Sequence, residues 1–112
     1  MERHGMMIGL RSEHVAAYKK YHAAVWPEVL ATIERCSIRN FTIYYHGETL
    51  FGSYEYYGVD HDADMARMAA DPATQRWWEI MMPMQTRLEG TPDGKWWMPL
   101  EEVFHFEGVS HH

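Results

Sequence analysis

The sequence is poor in cysteine, in basic residues and in long apolar runs. Its one cysteine, Cys36, excludes an internal disulfide, and without a CxxC or a neighbouring ligand pattern it reads as an ordinary reduced thiol. Ten Lys and Arg stand against sixteen Asp and Glu, a formal net charge of -6 with no basic run. The cationic footprint that a phosphate backbone demands is missing, which argues against nucleic acid as a partner. No apolar stretch approaches the roughly 18 residues of a membrane span, and the start "MERHGMMIGL" is too short and too charged for a secretory signal. The expected location is therefore cytoplasmic, with no membrane contact. Fixed-period repeats, low-complexity tracts and a Pro/Gly/Ser linker before the last third are also missing. What is present, 112 residues at 46% hydrophobic content, fits a single α+β domain over 1–112, with an ordered core at about 4–107 and a tail at 108–112.

The order of elements carries the fold. "HGMMIGL" (4–10) is a short apolar run bounded by charge and reads as a strand, and Ser12 is placed as an N-cap for a helix over about 13–35. "RNFTIYYHGETLFGSYEYYG" (39–58) holds two aromatic and β-branched runs around "HGE", the pattern of a hairpin. "DHDADMARMAA" (60–70) spaces Met65, Met68 and Ala69 as one helix face behind an acidic start that suits the helix dipole. Asp71 then reads as an N-cap and Pro72 as a first-turn proline of a further helix that Pro83 stops. A long irregular connection follows over 83–99, of a length that usually serves a site, a lid or an oligomer contact. "LEEVFHFEG" alternates as a last strand. Strand, helix, strand, strand, helix, strand suits a ferredoxin-like sandwich, an antiparallel sheet covered by helices on one face. Its uncovered face, expected to be rich in tyrosine and phenylalanine, predicts a homodimer.

One histidine is out of place. At 100° per residue, Val15, Tyr18, Val25, Trp26, Val29 and Ile33 share a broad apolar sector, and His22 falls near its middle. Tyr18 stands one turn before it. Pro27 cannot donate to the carbonyl of Ala23, so the helix is expected to bend just beyond His22 and to open a pocket mouth there. Periodicity leaves two roles for this imidazole. It is either a core or interface histidine satisfied by a backbone carbonyl, or an acid/base group working near neutral pH.

Other patterns carry less. The eight histidines offer no HExxH or i, i+4 pair, and Asp60, His61, Asp62 and Asp64 read as a solvated helix start, so no metal site is expected. Gly47 and Gly52 belong to the hairpin and form no phosphate loop. The nine methionines read as core filling. Trp77 and Trp78 point about 100° apart on their helix, so one packs inward and the other is free to face a ligand.

The segments "YKKYHAAVWPEVL", "RNFTIYY", "RMAADPATQRWWEIMMP" and "LEEVFHFE" resemble the L-rhamnose mutarotase family over about residues 4–107, most specifically in "YxxxHxxVWPE". The resemblance implies a dimeric α/β barrel that interconverts the α and β anomers of a deoxy-hexose, L-rhamnose first, without metal or organic cofactor. By position it makes His22 the proton donor and Tyr18, Trp77 and Trp78 substrate contacts. Phe41 stands where rhamnose-type members carry a sugar-contacting tyrosine, so one hydroxyl is missing from that substrate-binding position and the sugar preference is open. "GKWWMPLEEVF" is similar to the related L-fucose mutarotase branch.

The chemistry needs little apparatus. A pyranose changes anomer when O1 loses its proton and the ring oxygen gains one, the chain opens to the aldehyde, C1 rotates and the ring closes on the other face. An imidazole within hydrogen-bond reach supplies such transfers. The partner acid/base stays open among Glu102, Tyr44, Tyr45 and a water. Two other classes remain beside this reading: a cofactor-independent oxygenase or haem-degrading enzyme on the same kind of barrel, and a non-catalytic sugar-binding dimer module.

Overall fold

The computed structural model describes residues 1–109, so the last three residues of the expected tail, His111 and His112 among them, lie outside the described residues. The elements run β1 (Glu2–Leu10), α1 (Val15–His22), α2 (Pro27–Arg35), β2 (Ile38–His46), β3 (Thr49–Tyr56), α3 (His61–Ala70), α4 (Pro72–Met81), β4 (Gln85–Thr86) and β5 (Met98–Leu100). The strands form one antiparallel sheet in the order β2-β3-β1-β4, with β5 also on β1. The second edge of β1 is shared: β4 pairs with Gly9 and Leu10, and β5 with Gly5 to Met7. This is the expected ferredoxin-like α+β architecture.

Strand alternation sorts the sheet. Ile8 and Leu10 of β1 and Leu50 of β3 are buried with Tyr18, Val29, Trp77 and Met81 of the helices. Tyr54 and Tyr56 lie in a second cluster with Cys36, Ile38 and Met68. The hairpin closes through Gly47 and Glu48, both at positive φ (53° and 62°), the twist-matched geometry of a two-residue turn. Gly52 has no side chain where a Cβ would meet Met6 Cε at 3.0 Å and Trp97 Cζ3 at 3.6 Å. That vacancy lets Met6 and the indole of Trp97 close over the middle of the sheet.

Several expectations are corrected. The segment 13–35 is two helices rather than one, because Pro27 restricts the residue before it: Trp26 takes φ -59° and ψ 133°, the extended region that a pre-proline residue prefers. Proline then serves as the first residue of α2. Ser12 opens a 3-10 turn with no side-chain cap bond, and the turn is closed by backbone, His14 N–H to the Arg11 carbonyl at 3.0 Å. Of the strand expected in "LEEVFHFEG" only its first residue, Leu100, is in a strand, at the end of β5, which starts earlier, at Met98. Residues 101–109 have no regular structure and are exposed: among the described residues no strand pairs with them, and Glu102 is held by an ion pair with Arg3 at 2.8 Å. The strand Gln85–Thr86, inside the expected irregular connection, was not anticipated. The rest of that connection is held by Arg87, whose guanidinium donates to the carbonyls of Lys95, Thr91 and Pro92 at 2.7–2.9 Å.

The aromatics are also divided differently from expectation. Tyr54, Tyr56 and Ile43 face the helices, and the opposite face carries the cross-strand row Tyr44, Phe51, Met7 and Met98. That face is still apolar, with Tyr44, Phe51 and Leu100 exposed. Asp64, read as part of a solvated helix start, is instead buried, accepting from the Tyr56 hydroxyl and pairing with Arg67. Asp60 does cap α3, through a bond from Ala63 N–H at 3.2 Å.

Candidate active site

The histidine on the apolar stripe sits at the last position of α1, where the proline-induced break leaves it half-buried. Its ring lies on that of Tyr18, centroids 4.1 Å apart and planes 25° from parallel, as the one-turn spacing requires. Trp77, from α4, meets it edge-on at 5.4 Å. Tyr21 and Trp26 meet the other edges of Trp77 at 6.0 and 5.1 Å. Helices separated by residues 23–71 thus converge on one imidazole because Trp77 is buried, 6% exposed, in the same core as Tyr18.

The protonation of His22 follows from its contact. Nδ1 lies 2.9 Å from the Tyr18 carbonyl. A carbonyl oxygen only accepts, so Nδ1 carries the hydrogen and Nε2 keeps a free lone pair. Burial holds the imidazole below its ordinary pKa, more than the carbonyl contact raises it. At neutral pH His22 is therefore an uncharged base with its reactive nitrogen unengaged. The Tyr18 phenol, 4% exposed, is pushed up to about 12 by burial and stays protonated.

Two residues that sequence reasoning missed complete the cluster. Gln85 of β4 donates from Nε2 to the Tyr18 hydroxyl at 3.3 Å, and its Oε1 accepts from the Trp96 indole N–H at 2.7 Å. Gln85 is buried and lies 67 positions from Tyr18. No sequence spacing signals such a pair; a buried amide in the middle of an apparent loop was the only hint, and it needs the fold to be read.

The other sequence candidates are more distant in their contacts. Trp78 is 37% exposed, and the ring contacts of the His22 cluster among the described residues are made by Tyr18, Tyr21, Trp26 and Trp77. Phe41, 38% exposed, packs edge-on to Tyr54 at 5.7 Å. It lies inside the register shift between Arg39 and Thr42, next to Asn40, whose φ is 53°. Tyr54 in turn reaches His61 Nε2 at 2.7 Å, and His61 stacks on His4 at 4.1 Å. Phe41 thus belongs to a second aromatic group on the helix-covered face. Of the acid/base candidates, Glu102 is engaged by Arg3, Tyr44 is 65% exposed on the open face, and Tyr45 lies under Lys19 Nζ at 5.1 Å.

A stacked, uncharged imidazole with one free nitrogen, beside a protonated phenol and an indole wall, can exchange protons with a hydroxylated ring lying on that wall. Comparison with known proteins gives the family. The family model for L-rhamnose mutarotase matches residues 3–106. An L-rhamnose mutarotase from Phocaeicola vulgatus is 31% identical over 96% of this chain and 100% of its own length. An L-fucose mutarotase from Xanthomonas campestris pv. campestris is 34% identical over 86% of this chain and 80% of its own. The crystal structure of an L-rhamnose mutarotase from Formosa agariphila superposes with a TM-score of 0.77 at 25% identity, covering 96% of this chain and all of that one.

Proposed function

The chain belongs to the L-rhamnose mutarotase family, and from that premise we propose how its single α+β domain interconverts the α and β anomers of L-rhamnose. It is an isomerase of the aldose mutarotase type. His22 is the catalytic residue, and the observation that carries this is its free Nε2, left open by the Nδ1 bond to the Tyr18 carbonyl. Tyr18 and Trp77 form the substrate-binding wall around it. Trp78 contacts the sugar at the rim, and Phe41, packed on Tyr54 in the second aromatic group, is the position at which a hydroxyl-free ring bears on which deoxy-hexose is preferred.

The uncharged imidazole takes the O1 proton as the C1–O5 bond breaks and the aldehyde forms, the C1–O5 electron pair passing to O5, which takes a proton from a second acid. After rotation about C1–C2 the ring closes on the opposite face, O5 gives its proton back to that second group, and the imidazolium acts as the proton donor to O1. Such a group contributes about 10²–10⁴-fold. The indole of Trp78, 37% exposed where Trp77 is buried, covers the C–H side of the ring and excludes water from it.

The working unit we propose is a cytoplasmic homodimer. Val103, Phe104 and Phe106 are 78–88% exposed in a strand-patterned segment that pairs with no edge among the described residues, and the open sheet face is apolar. A second copy supplies both an edge and a cover. No helix among the described residues is long and apolar enough to cross a membrane.

L-Fucose is the second reading, favoured by Phe41 and by the L-fucose mutarotase among the relatives. Saturation-transfer NMR on each sugar measures anomer exchange directly. The wild type accelerates exchange of L-rhamnose above that of L-fucose, and His22→Ala, still folded, loses at least about 10²-fold. Exchange retained by folded His22→Ala would return the imidazole to a purely structural role, and faster exchange of L-fucose would reverse the sugar assignment.

A further inference from the structure

The ring oxygen needs a proton when O1 loses one, and the hydrogen bonds around Gln85 bear on where it comes from. The indole N–H of Trp96 can only donate, so the Gln85 oxygen must face it, and the amide N–H₂ then faces Tyr18. The Tyr18 hydroxyl oxygen is thereby an acceptor. Its own hydrogen has no acceptor among the described residues, although the residue is 4% exposed. A buried hydroxyl otherwise turns its hydrogen to whichever acceptor is nearest; here the amide occupies that position with a donor.

Resting on the mutarotase reading above, we propose that Gln85 is a positioning residue that keeps the Tyr18 hydroxyl hydrogen free for the sugar, making Tyr18 the acid that protonates the ring oxygen while His22 deprotonates O1. The transfers balance. On opening, the O1 proton goes to His22 Nε2, the C1–O5 electron pair goes to O5, and O5 takes the Tyr18 proton. On closure the C5 hydroxyl returns its proton to the Tyr18 oxygen, and His22 returns its own to O1. Both side chains end as they began. The phenol suits this even when pushed up to about 12, because an aliphatic alcohol is a weaker acid still. The stacked rings, 4.1 Å apart, keep the transient imidazolium and phenolate next to each other.

Gln85→Glu tests the polarity of the relay. A carboxylate has nearly the same shape and still accepts from Trp96, but it also accepts from Tyr18 and so captures the hydroxyl hydrogen. We expect kcat to fall about 10²-fold with KM within about twofold, while far-UV circular dichroism and Tm show a folded protein. The ratio of variant to wild-type kcat should recover as pH falls and the buried carboxyl protonates, because a carboxylic acid again has a hydrogen to donate. An unchanged kcat, or a loss equal at every pH, overturns the proposal. Should Gln85→Glu fail to fold, Gln85→Met removes the donor at similar length, and the double variant with Tyr18→Phe should be no slower than Tyr18→Phe alone. Additive losses overturn the proposal equally. A wild type that exchanges neither L-rhamnose nor L-fucose sinks the mutarotase reading itself, whereas an active wild type with unmoved Gln85 variants sinks only the role given to Gln85.

Discussion

His22 shows how one contact fixes a residue's chemistry. Its Nδ1 bond chooses the tautomer, and burial pulls its pKa below the ordinary 6.5. A histidine depressed in the folded state binds fewer protons there than in the unfolded chain, so stability from this group is present at neutral pH. It is lost as pH falls through 6.5 toward the folded value. The same protonation removes the free base. The background-corrected kcat/KM for anomer exchange is expected to be flat at neutral pH and to drop on the acid side with a midpoint below 6.5. A midpoint at or above 6.5 would place the titration in another group. The residue was legible in the sequence because a polar side chain interrupts an apolar period; its tautomer was not, since a backbone carbonyl has no sequence signature.

The helix that delivers Trp77 to His22 begins with a cap that the sequence announces. Asp71 accepts from the Thr74 N–H at 3.0 Å and from the Thr74 hydroxyl at 2.9 Å, and Pro72 follows it. Asp71→Ala leaves the first turn of α4 without that acceptor and is expected to lower Tm by roughly 5 °C, whereas Asp71→Asn, which keeps an acceptor, stays near wild type. Equal losses in the two variants would mean that the ion pair with Arg35, at 3.7 Å, outweighs the cap. The break between α1 and α2 was half legible. Proline implies a bend, but two separate helices arise because Trp26, restricted by the proline after it, leaves helical geometry altogether.

At the scale of the molecule, the C-terminal segment is the main departure from local reading. Its alternation reads as a strand, yet Val103, Phe104 and Phe106 stand in solvent beside their own chain. Pattern specifies the capacity to pair; only a free edge completes it. Light scattering is expected to give twice the chain mass of 13.2 kDa, and Phe104→Asp combined with Phe106→Asp to return it to one chain mass. A wild-type monomer at micromolar concentration would overturn the dimer.

The sequence by itself determined the first strand, the two aspartate-led helix starts, the hairpin and the histidine on its stripe. Each of these is a local property, set by periods of 2 and 3.6 residues and by capping and turn chemistry within a few positions. Only the tertiary structure decided which aromatic rings surround that histidine, which face of the sheet its tyrosines cover, and that Gln85 meets a phenol 67 residues away. Those are contacts across the core, where burial and the pairing of polar groups act between segments that no sequence period connects.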